Sequence, residues 1–257
     1  TGQLVFADIS AYLLANSLGS SPVLLLSSIL VISGIGFKIS VVPFHSWAPD
    51  TYEGAPLPIT AYLSVSSKAT GFVALIVLLT KVFESSGQSW GVILAIVAGA
   101  TMTLGNLVAL QQTNPVRLLA YSSISQAGFI IAPLAVSGIT GNYQDGIFAS
   151  VTYLIIYAFM NMGAFLCVHL FTDFTNSDNF YEWGGIAKYS PLAGVLTTVF
   201  FFSLAGIPPL GGWFAKFVVF RSLLSTGEIV GISLAVVGAI NAVIALVYYA
   251  RISKVIW

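Results

Sequence analysis

The fold is decided by the run at residues 57–83, which reads LPITAYLSVSSKATGFVALIVLLTKVF. A helix needs about 20 consecutive, mostly apolar residues to cross the hydrocarbon core of a bilayer, and this run exceeds that length. Lys68 lies about three turns into it, far from either end of the run. The run therefore predicts a transmembrane helix that carries an ionisable group at membrane depth.

The composition of the whole chain agrees with a membrane protein. Of its 257 residues 57% are hydrophobic and only 7% are charged, whereas soluble domains carry about 25% charged residues. Nine basic residues balance nine acidic ones, so no charge excess indicates nucleic-acid binding. The single cysteine, Cys167, excludes an internal disulfide and a multi-cysteine metal site.

Six further runs resemble the one at 57–83, and the connections between them are short and hold most of the acidic residues. The seven predicted segments lie at about 22–45, 57–83, 90–112, 115–137, 145–172, 191–223 and 229–255. They predict an all-α polytopic membrane protein with a single transmembrane domain over 1–257. The chain opens without an initiator methionine or a signal peptide and stops directly after an apolar segment, so we expect part of a longer protein.

Two of the segments are predicted to be broken helices. The first contains VPFHSWAPD at 42–50 and the sixth contains GIPPLGG at 206–212. Proline removes a backbone donor and clashes with the preceding turn. Non-helical backbone at membrane depth lies inside protein or along a hydrated cavity, and paired broken helices indicate a transport site. An ordinary proline kink remains the alternative for the first break.

Three lysines, Lys38, Lys68 and Lys216, lie inside the apolar segments. An ionisable group at mid-membrane costs at least about 2.5–3.5 kcal/mol and usually faces the bundle interior or a water-filled path. Burial disfavours the charged form of an amine, which lets a lysine exchange a proton near neutral pH. The alternative is that the side chain extends to the headgroups, which we expect for Lys81 and Lys254 near segment ends.

Other polar residues lie close to these lysines in the sequence. His45 follows the first break and can relay protons because imidazole titrates near neutrality; a structural, hydrogen-bonded histidine is the alternative. The run YSSISQ at 121–126 can hold water or bond neighbouring helices. We expect Asp50 and Glu53 to cap the next helix; the alternative is that they draw protons toward a funnel. Nucleotide-binding, metal-binding and Ser-His-Asp motifs are missing from the sequence.

The stretch GFKISVVPFHSWAPDTYEGAP at 36–56 closely resembles the antiporter-like subunits of proton-pumping NADH:quinone oxidoreductases, which are respiratory complex I and its photosynthetic counterpart. Three more stretches fit this family: the helix of Lys68, LLAYSSISQ at 118–126, and SLAGIPPLGGWFAK at 203–216. Subunits L and M and the cation/proton antiporter subunits share the fold. The DTYEG sequence at 50–54 and Lys216, where M-like chains tend to carry glutamate, favour the subunit N (subunit 2) branch.

The resemblance implies an antiporter-like fold with two inverted five-helix repeats, each containing one broken helix. Residues 1–83 would then end the first repeat and 84–257 would form the second. Lys38 and Lys216 would be the broken-helix lysines of the two repeats, Lys68 would begin the central hydrophilic axis, and His45 would belong to the path. The family pairs its first-repeat lysine with a glutamate on an earlier helix that this sequence does not include. Many relatives have a histidine at the position of Gln126, and a glutamine side chain cannot carry a proton at neutral pH.

The resemblance also implies a function in proton translocation by a complex I-like NAD(P)H:quinone oxidoreductase. This subunit would hold no cofactor, and NAD(P)H, flavin, iron–sulfur clusters and quinone would bind partner subunits. The expected partners are subunits M and L, small subunits of the K and J type, and the lipid bilayer, in a bacterial plasma membrane or a thylakoid membrane. The alternatives are a Mrp-type cation/proton antiporter subunit, a structural subunit with inactive channels, and a solute transporter.

Overall fold

The computed structural model describes residues 2–257, apart from the side chain of Ser20, and this part of the chain is helical throughout with no strand. Short 3₁₀ turns and one π-helical segment, Leu63–Ser67, join the α-helices. In chain order the α-helices are α1 (Phe6–Ala15), α2 (Pro22–Ile39), α3 (Trp47–Gly54), α4 (Leu57–Tyr62), α5 (Lys68–Lys81), α6 (Gly87–Ala109), α7 (Pro115–Thr140), α8 (Tyr143–Thr175), α9 (Pro191–Ala205), α10 (Gly211–Leu224) and α11 (Ile229–Ile256).

Six of the seven predicted segments contain a helix long and apolar enough to cross a membrane. These helices are Pro22–Ile39, Leu57–Lys81, Glu84–Ala109, Pro115–Thr140, Tyr143–Thr175 and Ile229–Ile256. The predicted sixth segment, 191–223, is divided between α9 and α10, so the predicted break is confirmed. The chain is therefore a polytopic helical membrane protein. The sequence did not predict α1, because ten residues that include Asp8 fall short of a spanning length.

Helix α7 lies at the centre of the bundle, and nearly all of its residues are buried. It packs most closely against α6 and α8. Close approach depends on small residues, as in other membrane helix pairs: a Cβ atom on Gly105 would lie 2.7 Å from the Ser125 backbone nitrogen, and one on Gly128 would lie 2.8 Å from the Ala98 carbonyl oxygen. The polar run at 121–126 therefore faces the protein interior rather than lipid.

The first break begins where α2 ends. Ser40 adopts the left-handed conformation with φ of 60°, and the Val41 N–H donates to the Gly36 carbonyl across 3.0 Å. This is the hydrogen bond that closes a helix in a Schellman motif. A cis peptide bond between Val42 and Pro43 follows, and the chain then continues into α3.

The second break has the same backbone arrangement. Gly206 adopts the left-handed conformation with φ of 94°, and the Ile207 N–H donates to the Phe202 carbonyl across 3.0 Å. A cis bond between Pro208 and Pro209 follows at the same offset from the left-handed residue. The two breaks are therefore alike in backbone although their sequences share few residues.

The two broken helices run in opposite directions through the bundle. Helix α3 ends beside the start of α7, where Arg117 Nη1 lies 2.8 Å from Asp50 Oδ1 and 2.5 Å from Glu53 Oε2; we call this side the Arg117 face. Helix α11 returns to that face, because Arg251 Nη2 donates to the Gln112 carbonyl. Helix α10, which precedes α11, therefore ends on the opposite side, the Arg221 face.

The ion pairs of Arg117 correct one prediction. We expected Asp50 and Glu53 to cap the next helix, but α4 begins after Pro56 without a side-chain cap. Both carboxylates instead bind a guanidinium more than 60 positions later in the chain. The local sequence indicated an acidic turn, but it could not reveal a partner brought there by the packing of α3 against α7.

Candidate functional site

Lys68 is buried, with 1% of its surface exposed, at the start of α5. Its Nζ atom donates to Ser123 Oγ on α7 across 2.8 Å and lies 5.8 Å from the centre of the Tyr52 ring, where an ammonium is attracted by the aromatic face. The predicted interior position of Lys68 is therefore confirmed. Its neighbours are a hydroxyl and a ring, and no carboxylate among residues 2–257 forms an ion pair with it.

The π-helical segment Leu63–Ser67 ends immediately before Lys68. Such segments are rare and often occur at functional sites. Helix α8 holds this one: the Tyr157 hydroxyl donates to the Ser64 carbonyl across 3.2 Å, and Asn161 Nδ2 donates to Ser64 Oγ across 2.8 Å. The hydrogen bonds from α8 thus fix the turn that directs Lys68 toward α7.

Lys216 is also buried, with 4% of its surface exposed. Its Nζ atom donates to the carbonyls of Ala205 (2.5 Å) and Leu204 (3.2 Å) at the end of α9. The last carbonyls of a helix have no partner within it, so the break supplies the acceptors. Helical side chains lean toward the N-terminus of their helix, which brings the Lys216 stem back from α10 to the break. Phe129 covers the ammonium at 5.0 Å.

Gln126 connects this second lysine to α7. Its Nε2 atom donates to the Leu204 carbonyl across 3.1 Å, which also accepts from Lys216. The Tyr153 hydroxyl donates to Gln126 Oε1, so both ends of the amide have partners. One turn earlier, Ser122 Oγ and the Tyr249 hydroxyl share a hydrogen bond. The polar run of α7 thus bonds α5, α8, α9 and α11, as predicted for helix-bonding groups.

Lys38 is placed differently from the other two lysines. It lies in the last turn of α2, and its side chain is exposed. Only its stem packs against α5: a Cβ atom built on Gly71 would lie 3.5 Å from Lys38 Cγ, one turn beyond Lys68. Within residues 2–257 the Lys38 side chain is exposed on the outside of the described bundle, and its place in the path, beside a glutamate on an earlier helix, stays a prediction.

His45 is half-buried in the first break. Its Nδ1 atom is shielded from solvent and makes no hydrogen bond of normal geometry with any described residue. Its carbonyl accepts from the Ala48 N–H at the start of α3. The structure thus places His45 at the break, apart from the polar run at 121–126 of α7. Its role in the path stays a prediction.

Sequence reasoning missed the buried tyrosines that surround α7. Tyr52, Tyr153, Tyr157 and Tyr249 are each at most 1% exposed, and their hydroxyls point toward the polar run of α7. Tyrosine is common at membrane interfaces, so its presence in an apolar segment gave no clear indication of a site. The adjacent pair YY at 248–249 in the last segment was the one available hint.

A second buried polar cluster joins α6 to α11. The Tyr248 hydroxyl donates to Asn106 Oδ1 across 2.9 Å, and Asn106 Nδ2 donates to Asn241 Oδ1 across 3.0 Å. Asn241 Nδ2 in turn donates to Thr103 Oγ1. Because each amide has partners, this cluster can hold the two helices together in lipid. Among the described residues no three His, Cys, Asp or Glu side chains are grouped as a metal ion would require.

A family model described as NADH:quinone oxidoreductase/Mrp antiporter, TM, matches residues 1–241. The chain is 43% identical over 240 residues to NAD(P)H-quinone oxidoreductase subunit 2 of Synechocystis sp., covering 93% of this chain and 44% of that relative. It is 37% identical to NADH-quinone oxidoreductase subunit N of Desulforamulus reducens, covering 100% of this chain and 52% of the relative. The chain thus spans about half the length of these curated relatives.

Two solved structures have similar folds. A chain in the Mrp complex from Dietzia sp. DQ12-45-1b matches with a TM-score of 0.87 and 25% identity, over 100% of this chain and 45% of the other. A chain in respiratory complex I from Thermus thermophilus with bound aureothin matches with a TM-score of 0.73 and 29% identity, over 92% of this chain and 50% of the other.

Proposed function

Because the chain belongs to the membrane-subunit family shared by NADH:quinone oxidoreductases and Mrp antiporters, we propose that it conducts protons as the antiporter-like subunit N (subunit 2) of a complex I-like NAD(P)H:quinone oxidoreductase. The curated relatives at 37–43% identity carry these two subunit names, which favours this branch. The chain itself takes no part in electron transfer, and we assign NAD(P)H, flavin, iron–sulfur clusters and quinone to partner subunits.

One observation carries the proposal. Two buried lysines, Lys68 and Lys216, lie at opposite ends of a row of polar side chains on α7, namely Ser122, Ser123 and Gln126, which we call the polar line. Buried amines without a carboxylate partner are costly at membrane depth, so a chain that keeps two of them in contact with the same helix has a use for their protonation. Proton transfer between the lysines along α7 is the use that this arrangement favours.

The proposed sequence of events begins outside the chain. Quinone reduction elsewhere in the complex sends an electrostatic or conformational signal along the membrane arm, and a carboxylate on a partner helix moves relative to Lys38. A proton then passes by way of Lys68 and leaves through Lys216. The Leu204 and Ala205 carbonyls accept hydrogen bonds from the Lys216 ammonium, so movement of the break alters how strongly Lys216 holds its proton.

The division into two inverted repeats, 1–83 and 84–257, belongs to the same proposal. It is supported by the shared backbone of the two breaks and by the opposite directions of the two broken helices. We further propose that the chain is assembled with subunits M and L and small subunits of the K and J type in an energy-coupling membrane.

The decisive experiment replaces Lys68 with methionine in the intact membrane complex and measures proton pumping per quinone reduced. We expect pumping to be lost while assembly is retained, because methionine fills the site without an exchangeable proton. Lys81→Met is the matched control, since Lys81 ends the same helix and is exposed; it should pump like the parent. Full proton stoichiometry in Lys68→Met would overturn the assignment.

A Mrp-type antiporter subunit is the second candidate, and the close fold match to the Dietzia Mrp complex over the whole chain supports it. Purification of the native complex separates the two candidates. Flavin and iron–sulfur subunits should be purified together with the chain under our proposal, whereas sodium-dependent proton exchange without an electron donor would favour the antiporter. A purely structural subunit would tolerate neutral substitution of Lys38, Lys68 and Lys216.

A further inference from the structure

The polar line between the two buried lysines contains a group that cannot pass a proton on. An amide nitrogen only donates and an amide oxygen only accepts, and neither exchanges its role at neutral pH. Gln126 is held at both ends, by the Tyr153 hydroxyl on its oxygen and by the Leu204 carbonyl on its nitrogen. A proton that reaches the α7 serines therefore needs another carrier to reach the break at α9.

Tyr249 is the side chain placed to be that carrier. It is fully buried on α11, its hydroxyl is hydrogen-bonded to Ser122, and the same hydroxyl interacts with the Gln126 side chain. Its ring packs on α9, with 5.6 Å between the ring centres of Tyr249 and Phe201, three residues before Leu204. Tyr249 thus has its hydroxyl at Ser122 of α7 and its ring against Phe201 of α9.

The other buried tyrosines of α8 and α11 donate to oxygens that cannot relay a proton. The hydroxyl of Tyr153 donates to an amide oxygen, that of Tyr157 to the Ser64 carbonyl, and that of Tyr248 to Asn106 Oδ1. The Tyr249 hydroxyl has another hydroxyl, that of Ser122, as its hydrogen-bond partner, and a hydroxyl can both accept and donate; the Tyr248 hydroxyl lies close to this pair as well. The distinction lies in the hydrogen-bond partner, since all four are equally buried.

We propose that Tyr249 carries the proton past Gln126: the Ser123 hydroxyl, which donates to the Ala120 carbonyl, rotates to take up the proton of Lys68, and the proton then passes by way of water to Ser122, Tyr249 and Lys216. This inference rests on the proposed function. A new O–H bond forms as the Tyr249 oxygen accepts a proton from the Ser122 side. The original O–H bond breaks as its proton leaves to water at the α9 break and then to the Lys216 amine. Tyr249 is neutral before and after the step, and rotation of its hydroxyl restores the starting arrangement.

The first test is Tyr249→Phe in the intact complex, with proton pumping measured per quinone reduced. A positioned proton-transfer group contributes about 10²–10⁴-fold, and water can replace part of that, so we expect at least about a tenfold fall. Tyr248→Phe is the matched control: it removes a buried hydroxyl at the neighbouring position, one whose hydrogen bond goes to Asn106 Oδ1 in the α6–α11 cluster, and should pump near the parent level. If Tyr249→Phe fails to assemble, Ser122→Ala, which removes the partner of Tyr249, should show the same fall.

The second test is rescue. An imidazole at position 126 can accept and release a proton near neutral pH, so it would provide the path that the amide lacks. The double variant Gln126→His/Tyr249→Phe should therefore pump several-fold better than Tyr249→Phe alone. A merely structural role for Tyr249 predicts no rescue, because the histidine does not refill the space of the lost hydroxyl.

The outcomes also separate this inference from the proposed function. Parent-level pumping in Tyr249→Phe, or a double variant no better than the single one, overturns the role of Tyr249. If Lys68→Met has lost pumping in the same membranes, the proposed function survives that result. If Lys68→Met also pumps fully, the proposed function itself fails.

Discussion

The break after α2 and the break after α9 have matching positions when both are counted from their left-handed residues, Ser40 and Gly206. A proline in a cis bond follows at the third position of each, and a tryptophan, Trp47 or Trp213, follows at the seventh. At the tenth position the two breaks carry opposite charges: the first has Asp50 and the second has Lys216. The two breaks therefore share their backbone conformation but differ in their ionisable groups.

The position of each lysine decides what its break can do. Lys38 precedes its break and Lys216 follows its own, but the two broken helices run in opposite directions, so both lysines lie on the Arg221 side of their breaks. Because helical side chains lean toward the N-terminus, the Lys216 stem points into its break and the Lys38 stem points away. Free helix-end carbonyls therefore bind an ammonium only in the second break.

The largest expected effect comes from removing the cation that distinguishes the second break. Lys216→Met should lower pumping per quinone reduced on the order of 10²-fold, because the Leu204 and Ala205 carbonyls lose their donor and the path loses its last amine. Lys254→Met, near the end of α11 and exposed, is the control and should pump normally. An Lys216→Met complex that pumps like this control would show that the difference between the breaks has no functional weight.

A smaller effect tests the backbone conformation that the two breaks share. Substitutions at the two left-handed residues should change the thermal stability in opposite directions. Gly206→Ala should lower the thermal stability of the purified complex, because a left-handed non-glycine residue costs roughly 1–2 kcal/mol and a Cβ atom there would lie 2.7 Å from Lys216 Cδ. Ser40→Gly should raise or preserve stability, because it relieves the same backbone cost and Ser40 Oγ is buried without a partner among the described residues. Equal losses in both variants would contradict the equivalence of the two positions.

The smallest effect concerns the first break, where a carboxylate stands at the position of Lys216. A double-mutant cycle of Arg117→Ala and Asp50→Ala should give a coupling of about 0.2–1 kcal/mol in thermal stability, as for other exposed ion pairs, since the side chains are 28% and 75% exposed. High salt should weaken that coupling. A coupling of several kcal/mol would mean that this pair fixes α3 far more firmly than its exposure indicates.

The features that could be predicted from the sequence are those set by neighbouring residues. The lengths of the apolar runs predicted the membrane-spanning segments, and the prolines predicted both breaks. The distance of Lys68 from the ends of its run predicted its position in the interior. Features that depend on distant residues were missed. The partner of Glu53 is Arg117, the partner of Tyr249 is Ser122, and the exposure of Lys38 depends on which helices pack beside α2. A single sequence without homologues carries little information about such pairs.

The π segment before Lys68 makes the register of the chain part of the site. A π turn contains about one residue more than an α turn. In an α-helix, successive residues are rotated by about 100° around the helix axis. Deleting one residue of Leu63–Ser67 would therefore leave a regular α turn, with α4 and Lys68 in nearly their present directions, whereas an extra residue that no π turn took up would rotate Lys68 by about 100° away from Ser123. The π turn thus takes up the one extra residue of this span, and Lys68 keeps its direction toward Ser123 because of it.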